Sequence, residues 1–293
     1  MNFRLYRAFG LDIKSPIELP DFLVQSGKKF DVEISIKEKL RKKLTANWFF
    51  KEKDNKILIY FREVGLFKIK KGKILFYSDK GSLIKYVHLY LSGLVFGAYL
   101  VKCGYEVIHA SAILNSKGKI IMFVGMSGAG KSSIVAGLIK EGLSLVSDDV
   151  VALNSSDRNF VVKSGKIRLQ LTEEVANMLF GNSLKKDKNP FKNKYFLYQK
   201  DEQEKSGKLA AIYFLEHGND ISIKEASKAA ALFKLLQNNL KSRFLKSQPE
   251  QLNFYGELVE EIPCFSLKRS NELGNFFATQ KLLLSHMAKN NLL

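Results

Sequence analysis

The residues best suited to chemistry are Gly125-Met126-Ser127-Gly128-Ala129-Gly130-Lys131-Ser132, with Ser133 directly after them. Glycines at these positions let backbone N–H groups converge on phosphate oxygens. A lysine at this spacing neutralises β and γ oxygens, and the next hydroxyl suits Mg²⁺, a hard cation that prefers oxygen. The stretch matches GxxxxGK[ST] at every fixed position, so a nucleotide is expected, read as ATP with Mg²⁺. Beyond it, LSLVSDD ends in Asp148 and Asp149. Two adjacent carboxylates there can divide the work, one holding the metal through water and the other taking a proton from an attacking hydroxyl. Paired carboxylates also raise each other's pKa, which suits a base near neutral pH.

These groups need elements to hold them. Apolar Ile120 to Val124 predicts a strand before the loop. Ile134, Val135, Leu138 and Ile139 predict a helix after it, closed by Gly142, and Leu143 to Val146 predicts the next strand, together the start of a parallel βαβ unit. Further strands are expected at Leu209 to Leu215 and Cys264 to Leu267, a helix over Lys224 to Leu240, and a final helix. LKKDKNPFKNKYFLYQKDEQEKSGK reads as a Lys-rich mobile loop with a short ordered piece at Tyr195 to Tyr198. Before residue 83 the chain reads differently. Val32, Ile34 and Ile36 alternate with Asp31, Glu33 and Ser35, and Phe67, Ile69, Ile74 and Phe76 flank a Lys71-Gly72 turn. That pattern predicts a small, mostly antiparallel β domain over 1–82 and an α/β domain over 83–293.

Composition narrows the class. At 293 residues, with 46% hydrophobic and 26% charged residues, the chain has the make-up of a folded globular protein. Forty-seven Lys plus Arg against 29 Asp plus Glu give +18, which favours acidic partners such as a nucleotide or an acidic peptide. The aromatics are not interleaved with basic residues in a nucleic-acid-reading pattern, so no nucleic acid is expected. Cys103 and Cys264 have neither disulfide nor zinc spacing, and the start lacks the marks of a signal peptide, so the cytoplasm is the expected compartment. Leu83 to Leu100 approaches the length of a membrane span, but Lys85, His88, Ser92, Gly93 and Gly97 within it favour a buried core helix, and no span is expected. The oligomeric state is left open, a homo-oligomer included.

HASAILNSKGKIIMFVGMSGAGKSSIVAGLIKEGLSLVSDDVVAL, His109 to Leu153, resembles the nucleotide-binding core of the HPr kinase/phosphorylase family and its kinase-like relatives. The resemblance implies a P-loop nucleotide-binding domain of the phosphoenolpyruvate-carboxykinase-like type and transfer of a phosphoryl group from ATP to a serine hydroxyl of a protein or peptide. It also implies roles for His109, Lys131 and Asp149, with Asp149 the base and Ser132 a Mg²⁺ ligand; Asp148, from its place beside Asp149, is a candidate both as a catalytic carboxylate and on the metal. Where the classical enzymes carry a glycine-rich signature with a metal-binding Glu, this chain has KIRLQLTEEVANML, offering only Glu173 and Glu174. The opening YRAFGLDIKSPIELPDF and the length resemble the divergent HPr-kinase-like proteins, some of which accompany peptide-modifying pathways.

Further candidates are Arg168, as a partner for phosphate charge or, more readily, a surface residue, and Lys185, Lys186, Lys188, Lys192 and Lys194, as a clamp on an acidic substrate or a cover for phosphates, or simply a solvated loop. Glu216 ends a strand, where it could simply face water. A small-molecule kinase shares every catalytic part, and a nucleotide-gated binding module shares the loop.

Overall fold

The computed structural model describes residues 3–37, 46–78, 84–156, 159–181, 187–198, 203–240, 249–270 and 272–293. Among them lie three sheets with helices against them, a mixed α/β architecture.

The first sheet holds β1 (Arg4–Ala8), β2 (Leu11–Ser15), β3 (Leu23–Gln25), β4 (Val32–Lys37), β5 (Trp48–Lys53), β6 (Lys56–Phe61), β7 (Gly65–Lys70) and β8 (Lys73–Ser78). Their order is β3-β1-β2-β4-β8-β7-β6-β5. The hairpin at Lys71-Gly72 forms as expected, with Phe67 opposite Phe76 and Ile69 opposite Ile74. Most neighbours are antiparallel, but β4 runs parallel to both β2 and β8. Its alternation determined which face is buried, Val32 and Ile34 being fully covered, and left the choice of neighbours open.

The apolar stretch after this sheet is an interrupted helix. A 3₁₀ turn at Ile84–Tyr86 leads into α1 (Val87–Tyr90), a π-helical turn at Leu91–Val95 and α2 (Phe96–Lys102). Leu83, where the sequence put its start, lies outside the described residues. Gly93 breaks the helical backbone at φ −98°, ψ −108°. The helix packs into the first core, where the Phe96 ring lies 5.7 Å from Phe9 and 5.2 Å from Phe22. No helix among the described residues is long and apolar enough to cross a membrane.

The second sheet carries the glycine-rich loop of residues 125–132. Its strands are β9 (Glu106–Ile108), β10 (Ala110–Leu114), β11 (Lys119–Val124), β12 (Ser144–Ser147), β13 (Val151–Ser156) and β14 (Asn159–Lys163), in the order β12-β10-β11-β18-β14-β13-β9. Here β18 is Ser206–His217. It also pairs in parallel with β20 (Cys264–Arg269), which in turn pairs with β19 (Ser222–Glu225). The third sheet joins β15 (Arg168–Leu171), β16 (Asp187–Lys188) and β17 (Tyr195–Tyr198). Helices α3 (Lys131–Lys140), α4 (Glu173–Phe180), α5 (Lys228–Asn238), α6 (Pro249–Glu261) and α7 (Phe276–Lys289) complete the chain.

Two sequence expectations need correction. β11 and β12 do run the same way around α3, but β10 is inserted between them, antiparallel to each. Residues 110–114 are almost wholly buried and claim a place in the middle of the sheet. The helix expected over Lys224 to Leu240 begins only at Lys228. Ser227 caps it by accepting from the Ala230 amide, and Lys224 and Glu225 complete β19 instead.

Candidate functional site

The direction of β10 explains the site. Since β11 and β12 run one way and β10 the other, the carboxyl ends of the first two and the start of the third meet at one sheet edge. The loop after β11, Asp148 and Asp149 after β12, and His109 and Ser111 at the start of β10 therefore gather there. Ligands of open α/β sheets bind at such an edge.

The loop leaves buried Val124 and turns through Gly128 and Gly130, at φ +88° and +89°, a backbone region that glycine enters without a Cβ clash. A Cβ on Gly130 would also collide with the Arg269 guanidinium. Arg269 ends β20 and donates from Nε to the Ala129 carbonyl at 2.9 Å, bracing the loop. The Lys131 ammonium folds back to donate to the carbonyls of Gly125 at 2.6 Å and Met126 at 3.2 Å.

Lys131 Nζ also lies 3.0 Å from His109 Nε2. The other ring nitrogen, Nδ1, is 3.0 Å from the Asp149 carbonyl and 3.1 Å from its Oδ1. These distances fit one tautomer, with Nδ1–H donating to Asp149 and Nε2 accepting from Lys131. Asp149 holds φ +72°, a left-handed conformation uncommon outside glycine and typical of functional positions when it occurs. Alongside, Ser132 Oγ lies 3.0 and 3.2 Å from the two Asp148 oxygens, and Ser111 Oγ donates to Asp148 Oδ1 at 2.6 Å.

The two carboxyls are shifted in opposite directions. Burial, together with the neighbouring Asp149 charge, raises the Asp148 carboxyl against hydrogen bonds from Ser111 and Ser132. Burial also pushes the Asp149 carboxyl up, but the Lys166 ammonium and the hydrogen bond from His109 outweigh it and hold this carboxyl well below its usual range. Lys166 Nζ is 3.7 Å from Asp149 Oδ2. Mutual elevation of the pair, expected from adjacency, thus appears only at Asp148, because Lys166 and His109 face Asp149.

A cavity of about 540 Å³ opens at this edge. Of the residues singled out in sequence, His109, Ser127, Gly128, Gly130, Lys131, Ser132, Ser133, Asp148 and Asp149 line it. Gly125, Met126 and Ala129 lie in the same loop without lining it: Ala129 is buried, Gly125 packs against Leu215, and Met126 is 65% exposed. Glu174 reaches the cavity while Glu173 does not. Lys192 and Lys194 line it, Lys188 pairs within the third sheet, and Lys185 and Lys186 lie outside the described residues. Arg168 is elsewhere. It is buried, bonded to Asp21 Oδ1 at 2.5 Å and set 3.7 Å from the centre of the Phe196 ring, so it serves packing between sheets rather than a phosphate. Glu216 bonds Lys234 and Ser266 away from the cavity.

Among the described residues no three His, Cys, Asp or Glu side chains converge as a metal site. The adjacent Ser132 hydroxyl and Asp148 carboxylate nevertheless suit Mg²⁺, which takes one or two protein oxygens and completes its shell with phosphate and water.

Sequence reasoning passed over Arg269, Ser111 and Lys166. Arg269 carried a signal, a guanidinium at the carboxyl end of a strand parallel to β18 and so to β11. Ser111 lies two positions beyond His109, on the same side of an extended chain. Lys166 had none, being placed by segment 164–167, whose amide and carbonyl groups bond Phe9, Asp21, Val146 and Asp148.

No family model matches the chain, and no curated protein matches it. Among solved structures, the HPr(Ser) kinase/phosphatase from Coxiella burnetii aligns with it at 12% identity and a TM-score of 0.33, over 62% of this chain and 97% of that one. At that depth of likeness, the geometry of the site has to carry any functional reading.

Proposed function

We propose that this chain is an ATP- and Mg²⁺-dependent kinase that transfers the γ-phosphoryl group to a serine hydroxyl of a protein or peptide. Residues 83–293 would form an HPr-kinase-like P-loop domain and 1–82 a smaller, mostly β domain. The supporting observation is the convergence of the Ser132–Asp148 and Lys131–His109–Asp149 contacts on one wall of one cavity. A motor or switch needs the loop and a metal; a carboxylate held apart from the metal-side pair by a histidine suits an acceptor hydroxyl.

Amides of the loop, with the start of α3 behind them, bind the phosphates, and the Lys131 ammonium, already inside the loop, neutralises their oxygens. Ser132 and Asp148 would hold Mg²⁺, which supplies further neutralisation of phosphate charge. Asp149 orients the acceptor hydroxyl and takes its proton. Its low pKa keeps it ionised through the neutral range, and a weak base suffices because phosphoryl transfer passes through a loose transition state governed by positioning. His109, bonded to both Lys131 and Asp149, keeps the donor and acceptor groups in register.

The test is transfer of labelled γ-phosphate from ATP to serine peptides by purified protein. Asp149→Asn should lower transfer about 10²- to 10⁴-fold while nucleotide affinity holds. Full activity in that variant would remove Asp149 from the mechanism, and failure of the wild-type chain to bind ATP would end the reading.

A further inference from the structure

A second cavity, of about 270 Å³, lies on the other side of Asp149. It shares Asp149, Gln170 and Lys192 with the phosphate-loop cavity, so the carboxylate forms a wall common to both. Its remaining walls come from Phe61 of the first sheet, from Leu89 to Leu94 of the interrupted helix, and from Lys166, Asn189 and Phe191, the Lys166 ammonium standing beside Asp149. Phe61 at the end of β6 lies with its ring centre 4.5 Å from Tyr90, and Phe191, from the Lys-rich segment, lies 5.9 Å from Tyr90 across the mouth. Phe191 remains 41% exposed, a large apolar ring turned partly to solvent at the rim.

The helix is irregular at this point. The π-helical turn brings Gly93 to the cavity, where a Cβ would sit 4.0 Å from Asp149 Oδ2, so the absence of a side chain keeps the approach to the carboxylate open. Single π-turns within helices are frequent at functional sites. An aromatic-walled recess with a few polar groups at one end has the make-up of a ligand site.

We propose that this recess is the acceptor subsite and that it takes a peptide serine next to an aliphatic or aromatic residue. This inference rests on the phosphoryl-transfer reading. The apolar side chain lies between the Phe61, Tyr90 and Phe191 rings, and the serine passes Gly93 to reach Asp149. The serine O–H bond breaks and its proton moves to an Asp149 carboxylate oxygen. The serine Oγ bonds the γ-phosphorus of ATP as the bond from that phosphorus to the β,γ-bridging oxygen breaks, its electron pair leaving with ADP. Two observations favour a peptide side chain. The recess is too small for a folded partner to enter, and its rim ring is exposed, where an extended chain can lie across it.

The experiment uses the full chain with short synthetic peptides whose central serine is followed by leucine, phenylalanine, glycine or aspartate. Expected is a KM about tenfold or more lower for the leucine and phenylalanine peptides than for the aspartate peptide, the scale of one apolar contact in a pocket. Phe191→Ala, at an exposed site with little effect on folding, should erase most of that preference while the Kd for ATP stays constant, and Phe191→Tyr should retain it. Phe61→Leu, which replaces the ring with a smaller aliphatic side chain, provides a second probe of the opposite wall and should weaken the preference for the phenylalanine peptide. Fluorescence anisotropy of the same labelled peptides without nucleotide reads the recess apart from the chemistry. Apolar-selective binding without transfer keeps the recess and refutes the kinase reading. Transfer without apolar preference, or a preference untouched by Phe191→Ala, keeps the kinase and overturns the recess. Preferential phosphorylation of a small aromatic alcohol over every peptide overturns the peptide occupant.

Discussion

Two clusters of charged side chains lie side by side in this protein and end differently. Lys131, His109, Asp149, Asp148 and Ser132 face a cavity of about 540 Å³. Asp21, Arg168 and Ser92 are sealed between the first sheet, the interrupted helix and the third sheet, with Asp21 1% and Arg168 2% exposed. Lys166 stands between the clusters and is drawn to the carboxylates of both. Residue types barely distinguish them. Room does: a buried ion pair with no space beside it can only cement, whereas one beside a cavity can meet a substrate.

That contrast can be broken by substitution. The largest effect should come from Asp21→Asn, which leaves Arg168 buried without the Asp21 carboxylate and takes one of its carboxylates from Lys166, and should cost about 3–5 kcal/mol in urea unfolding. Burial raises the Asp21 carboxyl, but Lys166, Arg168 and Ser92 outweigh this and lower it. A lowered folded-state pKa adds stability above the unfolded value, near 3.9, that is lost as pH falls through the folded value. Wild type should therefore lose stability below about pH 4 along a slope that Asp21→Asn lacks. Next, Lys131→Met should slow phosphoryl transfer about 10²- to 10³-fold with little change in the urea midpoint. An equally large loss of stability would make the cavity-facing cluster cement as well. Smallest is Lys228→Ala, at an exposed pair with Glu260, for which about 0.5 kcal/mol or less is expected.

The strand, loop and helix around Lys131 were legible because they are local: an apolar run, glycines at fixed spacing and a 3.6-residue period lie in one stretch. The Phe67 to Phe76 hairpin was legible for the same reason. Insertion of β10 between β11 and β12 was not, since pairing is decided by three segments competing for one sheet. Arg168, read as a surface residue more readily than as a partner for phosphate, is neither, and only Asp21, 147 residues away in sequence, reveals it as a buried partner. Asp149 misled in another way. Adjacency to Asp148 was visible, but the cation that controls it comes from a segment without any motif.

The contact of Arg269 with the Ala129 carbonyl spans 140 residues. The loop reaches its braced shape only after β18 has joined β11 and β20 has joined β18, two parallel pairings between distant segments. Such pairings form slowly because a long chain must close before any contact stabilises it. The helix after the loop is held by local hydrogen bonds, whereas the brace depends on a residue 140 positions downstream. During synthesis, a nascent chain ending before Arg269 would carry the whole motif without its final geometry.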